Sequence, residues 1–271
     1  DKEKNKSTYQ DDRFWNPELD KTGNGFAVIR FLPAPEGEDL PWQRVWSHAF
    51  QDVGGWYIEN SLTTLGQKDP VSEENTRLWN TGLDSDKEIA RKRKRKLSYF
   101  SNILVVSDPK HPENEGKVFL FKFGKKIFDK ITEAMQPAFE DEKPMNPFDF
   151  WKGANFKLKI RKVDGYWNYD KSEFDSVSAL LDDDAKLDST WKTQYPLADF
   201  HAPSNFKSYE ELKKRLDDVL SGTITASAVS MMDEDVVETP SFKSEPEPSI
   251  PEVSQEEDDD TMSYFQKLAK E

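Results

Sequence analysis

The most distinctive chemistry in the sequence is a run of cations that leads into aromatic residues. Positions 91–96 are Arg-Lys-Arg-Lys-Arg-Lys, and Tyr99 and Phe100 follow directly after Leu97 and Ser98. Cationic side chains neutralise phosphates, and flat rings give unpaired bases a surface on which to stack. A basic run alone is most often a solvated face. A basic run beside aromatic residues is typical of surfaces that bind single-stranded nucleic acid.

Cations and rings also lie side by side in other segments. Phe121 adjoins Lys122, and the run 166–169 (Tyr-Trp-Asn-Tyr) cannot be buried whole because consecutive strand residues face opposite ways. No motif carries the donor–acceptor pattern that reads one base, so we expect weak sequence preference. The predicted interface comprises Arg30, Arg91, Arg93, Lys94, Arg95, Lys96, Tyr99, Phe100, Phe121, Lys122, Tyr166, Trp167, Tyr169 and Lys207, with Lys159 and Arg161 as further candidate cations.

The residue types that most enzymes require are scarce. The 271 residues include no cysteine and three histidines, and they contain neither a Gly-x-Ser-x-Gly elbow nor a phosphate-binding loop. Asp182, Asp183 and Asp184 could hold Mg²⁺, but adjacent carboxylates point apart on regular elements, so a solvated acidic loop is the better interpretation. We predict no enzyme activity, no cofactor and no metal site. The alternatives are a Mg²⁺-dependent nuclease with a basic cleft and an acidic-tailed protein adaptor.

The net charge of −14 is concentrated towards the C-terminus. Residues 231–271 hold 13 acidic and three basic residues together with four prolines, a composition typical of disordered segments. Met262, Phe265 and Leu268 recur there at helical spacing, which suggests a helix that folds on a partner. We predict a flexible segment over 1–14, a folded body over 15–220 and a linker with an acidic interaction tail over 221–271.

The body is predicted to be mainly β with α additions. Strands are expected at 25–33, 45–50, 55–59, 97–106, 117–123 and 155–163, with another after the turn at Asp164-Gly165. Helices are expected over 125–135 and after a capping box at 208–211. Residues 61–95 interrupt the strands with short helices and are interpreted as an inserted lobe. A five-stranded Greek-key barrel of the oligonucleotide-binding (OB) type fits this order, and a β-sandwich fits it nearly as well.

The sequence contains no segment that targets a membrane. No run approaches the roughly 18 consecutive apolar residues that span a bilayer. No signal peptide is visible either. We therefore expect a soluble, cytosolic protein with no membrane partner.

Several long stretches resemble one known family in the same order along the chain. They lie at 23–33, 47–50, 56–59, 94–106, 112–119, 123–127, 153–156 and 206–212. Over about Trp15 to Leu220 the chain resembles the single-stranded DNA-binding proteins of the gene 32 type from T-even-like bacteriophages. The collinearity of these stretches makes the resemblance more specific than a match to a single motif.

The resemblance implies an OB-fold core that coats single-stranded DNA cooperatively, with neighbouring protomers in contact on the strand. It implies roles in phage DNA replication, recombination and repair, in the cytoplasm of the infected bacterial host. The acidic tail would dock the polymerase, the helicase loader and recombination proteins, and we choose 262–270 for that contact. The resemblance implies that the residues of the predicted interface contact DNA, apart from three. Arg91, Arg93 and Trp167 are predicted from the chemistry of their side chains alone.

The inserted lobe departs from the family, which holds a zinc ion there with one His and three Cys. His48 is kept, but Ser61, Asp69 and Ser72 stand near the expected Cys positions, and a hydroxyl is not a thiolate. We therefore predict no zinc. Because His48 lies within a strand pattern, we expect it to be packed or hydrogen-bonded. The lobe must then rely on its own small core, for which the candidates are Leu62, Leu65, Val71, Leu78, Trp79 and Leu83.

Two further expectations concern the ends of the chain. In the family, a basic N-terminal arm makes DNA binding cooperative. Lys4-Asn-Lys-Ser-Thr8 superficially resembles the basic motif of that arm, but it lies too close to Trp15. We expect the arm to be absent from this sequence and cooperativity to be weak. We also expect the acidic residues of 231–260 to compete with DNA for the cationic groove.

Overall fold

The structure, a computed structural model, describes residues 11–222. The predictions for residues 1–10, for the linker beyond Gly222 and for the acidic tail fall outside the described residues. Within 11–222, five helices and several short helical turns surround an antiparallel sheet. None of these helices is both long enough and apolar enough to cross a bilayer.

The sheet confirms the prediction of a mainly β protein with added helices. Its strand order is β3-β2-β4-β1-β6-β7, with β5 paired to β4 and β8 paired to β6, and every pairing is antiparallel. The strands of the described residues are β1 (Gly25–Phe31), β2 (Gln43–Asp52), β3 (Gly55–Asn60), β4 (Lys96–Ser107), β5 (Val118–Phe123), β6 (Ala154–Val163), β7 (Tyr166–Asn168) and β8 (Glu173–Val177).

Strand β4 pairs with three other strands, as β6 also does. Residues 96–100 pair with β2, residues 103–107 pair with β1, and residues 99–104 pair with β5. Every residue from Tyr99 to Val105 is buried, so this part of β4 is covered on both faces. Strand β4 therefore runs from an exposed basic start directly into the core.

Aromatic rings fill much of the interior. The predicted alternation of β6 is confirmed, since Phe156, Leu158 and Ile160 are buried while Lys157 and Lys159 between them are only half-buried. The ring of Phe31 on β1 lies at the middle of the aromatic cluster. Its centroid is within 6.4 Å of those of Phe121, Phe123, Phe148, Phe156 and Phe174.

The helices begin and end largely where local sequence signals place them. Helix α5 starts at the predicted capping box, in which the side chains of Ser208 and Glu211 each accept from the other residue's backbone N–H. Helix α3 buries the predicted apolar stripe of Ile127, Phe128 and Ile131. The helices are α1 (Pro70–Asn80), α2 (Asp84–Lys92), α3 (Lys125–Met135), α4 (Asp184–Lys192) and α5 (Tyr209–Ser221).

Helix α5 packs against the β2–β3 hairpin. Leu212 and Leu216 belong to the same apolar cluster as Phe50 and Tyr57 of the hairpin. At the turn, the Gly54 N–H donates to the Val219 carbonyl at 2.7 Å, and a Cβ at Gly54 would collide with the α5 backbone. Gly54 is therefore required for this close approach.

Strand β8 and helix α4 were not expected from the sequence. Strand β8 is short and mostly exposed, so it carries little hydrophobic pattern. Helix α4 begins at the acidic run, where the Asp183 carboxylate accepts from the backbone N–H groups of Ala185 and Lys186 at 2.9 and 3.3 Å. The run that was interpreted as a loop is thus the N-cap and first turn of a helix, which carboxylates favour.

The inserted lobe buries fewer residues than predicted. Leu62, Val71 and Leu78 are buried. Trp79 and Leu83 are 45% and 60% exposed, so their assignment to the lobe core is wrong. Leu62 and Val71 pack in one cluster with Phe50 and Tyr57 of the β2–β3 hairpin and with α5, so the lobe shares this core and does not rely on a core of its own.

The described body includes the residues just before Trp15. The Leu120 N–H donates to the Arg13 carbonyl at 2.8 Å, and the Trp15 N–H donates to the Leu120 carbonyl at 2.9 Å. Phe14 lies between these bonds and packs edge-on against Phe100. Residues 13–15 therefore pack along β5.

Candidate nucleic-acid interface

The basic run lies at the junction between helix α2 and strand β4. Arg91 and Lys92 end α2, where cations are favourable beside the negative end of the helix dipole, and Lys96 begins β4. Lys94 and Lys96 are exposed, whereas the two arginines that alternate with them are half-buried. The lysines are therefore open to a phosphate chain, while those arginines turn towards the protein.

Arg93 is anchored to the β2–β3 hairpin. Its Nη2 lies 2.7 Å from Asp52 Oδ2, and its guanidinium is 5.5 Å from the centroid of the Phe50 ring. Burial alone would raise the pKa of Asp52, but the hydrogen bonds from the Val53 N–H and Arg93 hold it below its ordinary value. The ionised carboxylate keeps Arg93 in place.

Arg95 lies over an aromatic ring that could not be identified as its neighbour from the sequence. Its guanidinium is 4.0 Å from the centroid of Trp46 and donates to Thr63 Oγ1 at 2.9 Å. Trp46 is half-buried and lies opposite Leu97 in the β2–β4 register. The two residues are distant in sequence, so only the strand pairing reveals that a tryptophan adjoins the basic run.

Lys122 and Lys207 are two further predicted cations, one on strand β5 and one just before helix α5. Lys122 is exposed on β5, opposite Phe100 of β4. Lys207 is exposed just before α5 and forms an ion pair with Glu59 of β3. Lys122 therefore lies on a strand next to β4, whereas Lys207 contacts β3, which β2 separates from β4.

Arg30 lies in the interior rather than in a groove. Its side chain is fully buried, and Nη2 donates to the carbonyls of Asp149 and Ser178 at 2.9 and 2.8 Å. Burial lowers the pKa of Arg30, and the neighbouring Asp149 carboxylate offsets part of that shift. Arg30 ties the loop before β6 to the end of β8, and its guanidinium does not face a surface where a phosphate could bind.

Three predicted stacking residues are also in the core. Tyr99, Phe100 and Phe121 are 3%, 9% and 3% exposed. Tyr99 stacks on Phe128 with the centroids 4.0 Å apart, and Phe100 stacks on Phe200 at 4.2 Å. A buried ring offers no free face to a base, so these three rings are not available for stacking. The buried guanidinium of Arg30 is likewise not available to a phosphate. On a strand covered on both faces, sequence alternation does not separate inside from outside.

The remaining predicted rings lie around the β6–β7 hairpin. Tyr166 is 68% exposed, and Trp167 and Tyr169 are half-buried. Lys162 is paired with Trp167 across the hairpin, and its Nζ lies 5.6 Å from the Trp167 ring centroid. In the sheet order, β1 and β6 separate this group from β4. The predicted residues therefore form two groups rather than one.

The cations on the outer face of β6 are paired with acids. Hydrogen bonds from these cations lower the pKa values of Asp170, Glu173 and Asp175. An anionic strand that crossed this face would have to displace the carboxylates. The ion pairs are Lys157–Asp175 at 3.0 Å, Lys159–Glu173 at 2.8 Å and Arg161–Asp170 at 2.5 Å.

His111 lies in the loop between β4 and β5 and is held by two acids. Its Nδ1 is 3.0 Å from Glu113 Oε1, and its Nε2 is 2.7 Å from Glu18 Oε2. Hydrogen bonds to these two carboxylates raise the pKa of His111. The pair of contacts joins the loop to the segment that precedes β1.

The chain matches a known family over most of its described residues. The sequence profile of the family described as gp32 DNA binding protein like matches residues 23–220. The single-stranded DNA-binding protein of Enterobacteria phage T2 is 41% identical over 223 residues, which cover 80% of this chain and 72% of the relative. That of Enterobacteria phage T4 is 40% identical over 223 residues, which cover 80% of this chain and 73% of the relative.

These matches confirm the resemblance seen in the sequence. They also confirm the prediction that the protein is not an enzyme, because proteins of this family act by binding and not by turnover. On the extent of the profile match and the level of identity, the chain belongs to the gp32-like family of DNA-binding proteins.

Proposed function

We propose that this protein binds single-stranded DNA without base preference and that the basic run is its main phosphate contact. The observation that carries the proposal is the alternation of exposed lysines with ring-anchored arginines at the start of β4. Lysines neutralise phosphates as mobile point charges, while the planar arginines stack on protein rings and keep the surface in place. The relatives named single-stranded DNA-binding proteins support the same function.

The proposed interface keeps the predicted residues that lie at least partly on the surface. Phosphates would contact the lysines of the run and of the neighbouring strands, and bases would stack on the rings of the β6–β7 hairpin. Trp46 is added because it lies under Arg95. The set is Arg91, Arg93, Lys94, Arg95, Lys96, Lys122, Tyr166, Trp167, Tyr169 and Lys207, with Trp46.

We further propose that the strands form a barrel of the OB type. A β-sandwich consists of two separate sheets, whereas the strands here are hydrogen-bonded in one network. The sharing of β4 among β1, β2 and β5 supports a sheet that bends around its own core.

The proposal extends to the biological setting. The protein would coat single strands during phage DNA replication, recombination and repair in the cytoplasm of the infected host, beside neighbouring protomers. Its acidic tail would recruit the polymerase, the helicase loader and recombination proteins, and would compete with DNA for the cations. The T-even phage origin of the relatives and the 13 acidic residues of 231–271 support this setting.

The test is a titration of the full chain with oligothymidylate, followed by tryptophan emission at several salt concentrations. Each phosphate contact on a single strand contributes about 0.7 to the slope of log affinity against log salt. Lys94→Ala/Lys96→Ala should lower the slope by about 1.4, which is twice that contribution. The matched control is Lys186→Ala/Lys192→Ala on helix α4, which removes the same charge elsewhere and should leave the slope unchanged.

Two outcomes would reject the proposal. One is an absence of binding both in the emission titration and in an electrophoretic mobility assay. The other is equal slopes for the Lys94/Lys96 variant and the wild-type protein, which would mean that the run does not contact phosphates. Cleavage of the strand on addition of Mg²⁺ would instead support the nuclease alternative.

A further inference from the structure

The inserted lobe meets strand β2 at a buried polar junction. His48 and Asp69 are each 1% exposed, and the adjacent Ser61 is fully buried. His48 Nδ1 lies 3.0 Å from the Arg93 carbonyl oxygen, which can only accept, so Nδ1 carries the proton. His48 Nε2 lies 3.3 Å from Asp69 Oδ1, and the two side chains form an ion pair when the imidazole is protonated on both ring nitrogens. The prediction of a packed, hydrogen-bonded histidine is confirmed.

The Asp69 carboxylate joins two segments of the lobe. Oδ1 accepts from the N–H groups of Val71 and Ser72, both at 3.1 Å, and so caps helix α1. Oδ2 accepts from the Leu62 N–H at 3.1 Å, which holds the short helical turn after β3. One buried side chain therefore connects α1, the turn at 62–65 and β2.

These residues do not fit the zinc ion that the family resemblance implies. Structural zinc is held by four donors, chiefly thiolates and imidazoles. Here the two Asp69 oxygens already accept from three backbone N–H groups, and the Ser61 hydroxyl contacts Thr63 Oγ1 at 2.9 Å. Between Asp11 and Gly222, no three His, Cys, Asp or Glu side chains are arranged to hold a metal.

The same junction holds the middle of the basic run. The Arg93 carbonyl accepts from His48 Nδ1 and also from Asn75 Nδ2, the latter at 3.1 Å. His48 lies on β2 and Asn75 on α1, so the two bonds fix the backbone of Arg93 between the sheet and the lobe. Lys94, an exposed cation of the proposed interface, is the next residue.

We propose that the buried Asp69–His48 junction replaces a metal ion in holding the lobe, and that His48 and Asn75 position the basic run through the Arg93 carbonyl. His48, Asp69 and Asn75 are positioning residues, since their side chains are directed into the protein and not towards DNA. The positioning of the run matters for DNA binding only if the proposed function holds. The structural part of the inference can be tested without DNA.

The first test uses metal analysis and limited trypsin digestion of the full chain. The wild-type protein should contain no stoichiometric zinc, and a chelator should not change the rate of cleavage within 91–96. Asp69→Ala should raise that rate at least tenfold, because it removes the cap and the link to β2. Stoichiometric zinc, or faster cleavage of the wild-type protein after chelation, would overturn the inference.

The second test keeps the buried pair intact, in case Asp69→Ala fails to fold. Asn75→Ala removes one of the two bonds to the Arg93 carbonyl, and it should raise cleavage within the run about fivefold, the factor expected for one hydrogen bond of average strength. Thr76→Ala, the matched control, removes a bond to the Ser72 carbonyl within the same helix and should leave the rate unchanged. Equal rates for the two variants would overturn the positioning role.

If the proposed function holds, Asn75→Ala should also weaken oligothymidylate binding about fivefold, while its urea midpoint stays close to that of Thr76→Ala. Faster cleavage without weaker binding would separate the two proposals. The junction would stand, and the role of the run in DNA binding would fail.

Discussion

A substitution at Arg30 can show whether this residue has a structural role or contacts DNA. Its guanidinium is fully buried and donates to two backbone carbonyls, those of Asp149 and Ser178, with a weaker contact to Asn155 Oδ1 at 3.4 Å. The substitution Arg30→Met removes the donors and keeps most of the side-chain volume. We predict that it destabilises the fold and affects DNA binding only through that loss.

The magnitude follows from the two short bonds. A hydrogen bond to a charged group contributes about 1.5–3 kcal/mol, so the loss of two amounts to about 3–6 kcal/mol. Burial of a charged guanidinium is itself unfavourable, so its removal offsets part of this loss of stability. The expected net loss in the free energy of unfolding is about 2–4 kcal/mol, which lowers a urea midpoint by about 1–2 M at a typical slope of about 2 kcal/mol per M.

Urea unfolding followed by circular dichroism measures this change. The matched control is Arg161→Met, since Arg161 also lies in the sheet but is 47% exposed and pairs with Asp170. An exposed ion pair contributes about 1 kcal/mol or less, so the control midpoint should barely move. If Arg30→Met unfolds at the wild-type midpoint and yet loses oligothymidylate affinity, Arg30 is a DNA contact and the reasoning from burial is wrong.

Two further predictions concern charge. Asp170→Asn/Glu173→Gln should free Arg161 and Lys159 for phosphates and steepen the salt dependence of oligothymidylate binding by about 1.4, if the strand crosses the outer face of β6. The pKa of His111, measured by NMR titration, should lie above the ordinary value near 6.5, and Glu113→Gln should lower it. Because the folded-state pKa is raised, the contact of His111 with its two acids stabilises the loop below about pH 6.5 and is lost as the pH rises through the raised value.

Each of these predictions has a control on the same chain. Asp188→Asn frees Lys192 on helix α4, outside the proposed interface, and should not change the salt dependence. An unchanged slope in the Asp170/Glu173 variant would mean that DNA does not use this face. For His111, Asp129→Asn removes an acid that pairs with Lys125 and should leave the His111 titration as it is. A His111 pKa at or below 6.5 would contradict the two-acid contact.

Elements specified by a few neighbouring residues could be predicted from the sequence. The capping box at Ser208, the turn at Gly54-Gly55 and the alternation along β6 each depend on local periodicity or hydrogen bonding, and each is present in the structure. Strand β8 and helix α4 were missed because one is exposed and short and the other begins at an acidic run without a clear apolar stripe. The basic run was also apparent from the sequence, but the rings that follow it, Tyr99 and Phe100, are buried in the structure.

The exposure of each candidate residue could not be predicted in the same way. Tyr99 and Lys96 lie three positions apart on one strand, yet Lys96 is exposed and Tyr99 stacks on Phe128 of helix α3. That stacking depends on the packing of α3 against β4. Trp46 likewise lies beside Arg95 only because two strands that are distant in sequence pair with each other.

The sequence by itself determined the family, most of the strand and helix segments and the kinds of side chain available for binding, because these are encoded in local order. The tertiary structure decided which cations face solvent, placed Arg30 in the interior, and brought Asp69 within 3.3 Å of His48 on β2. Burial and long-range hydrogen bonds depend on what packs from elsewhere in the chain, so local periodicity cannot specify them.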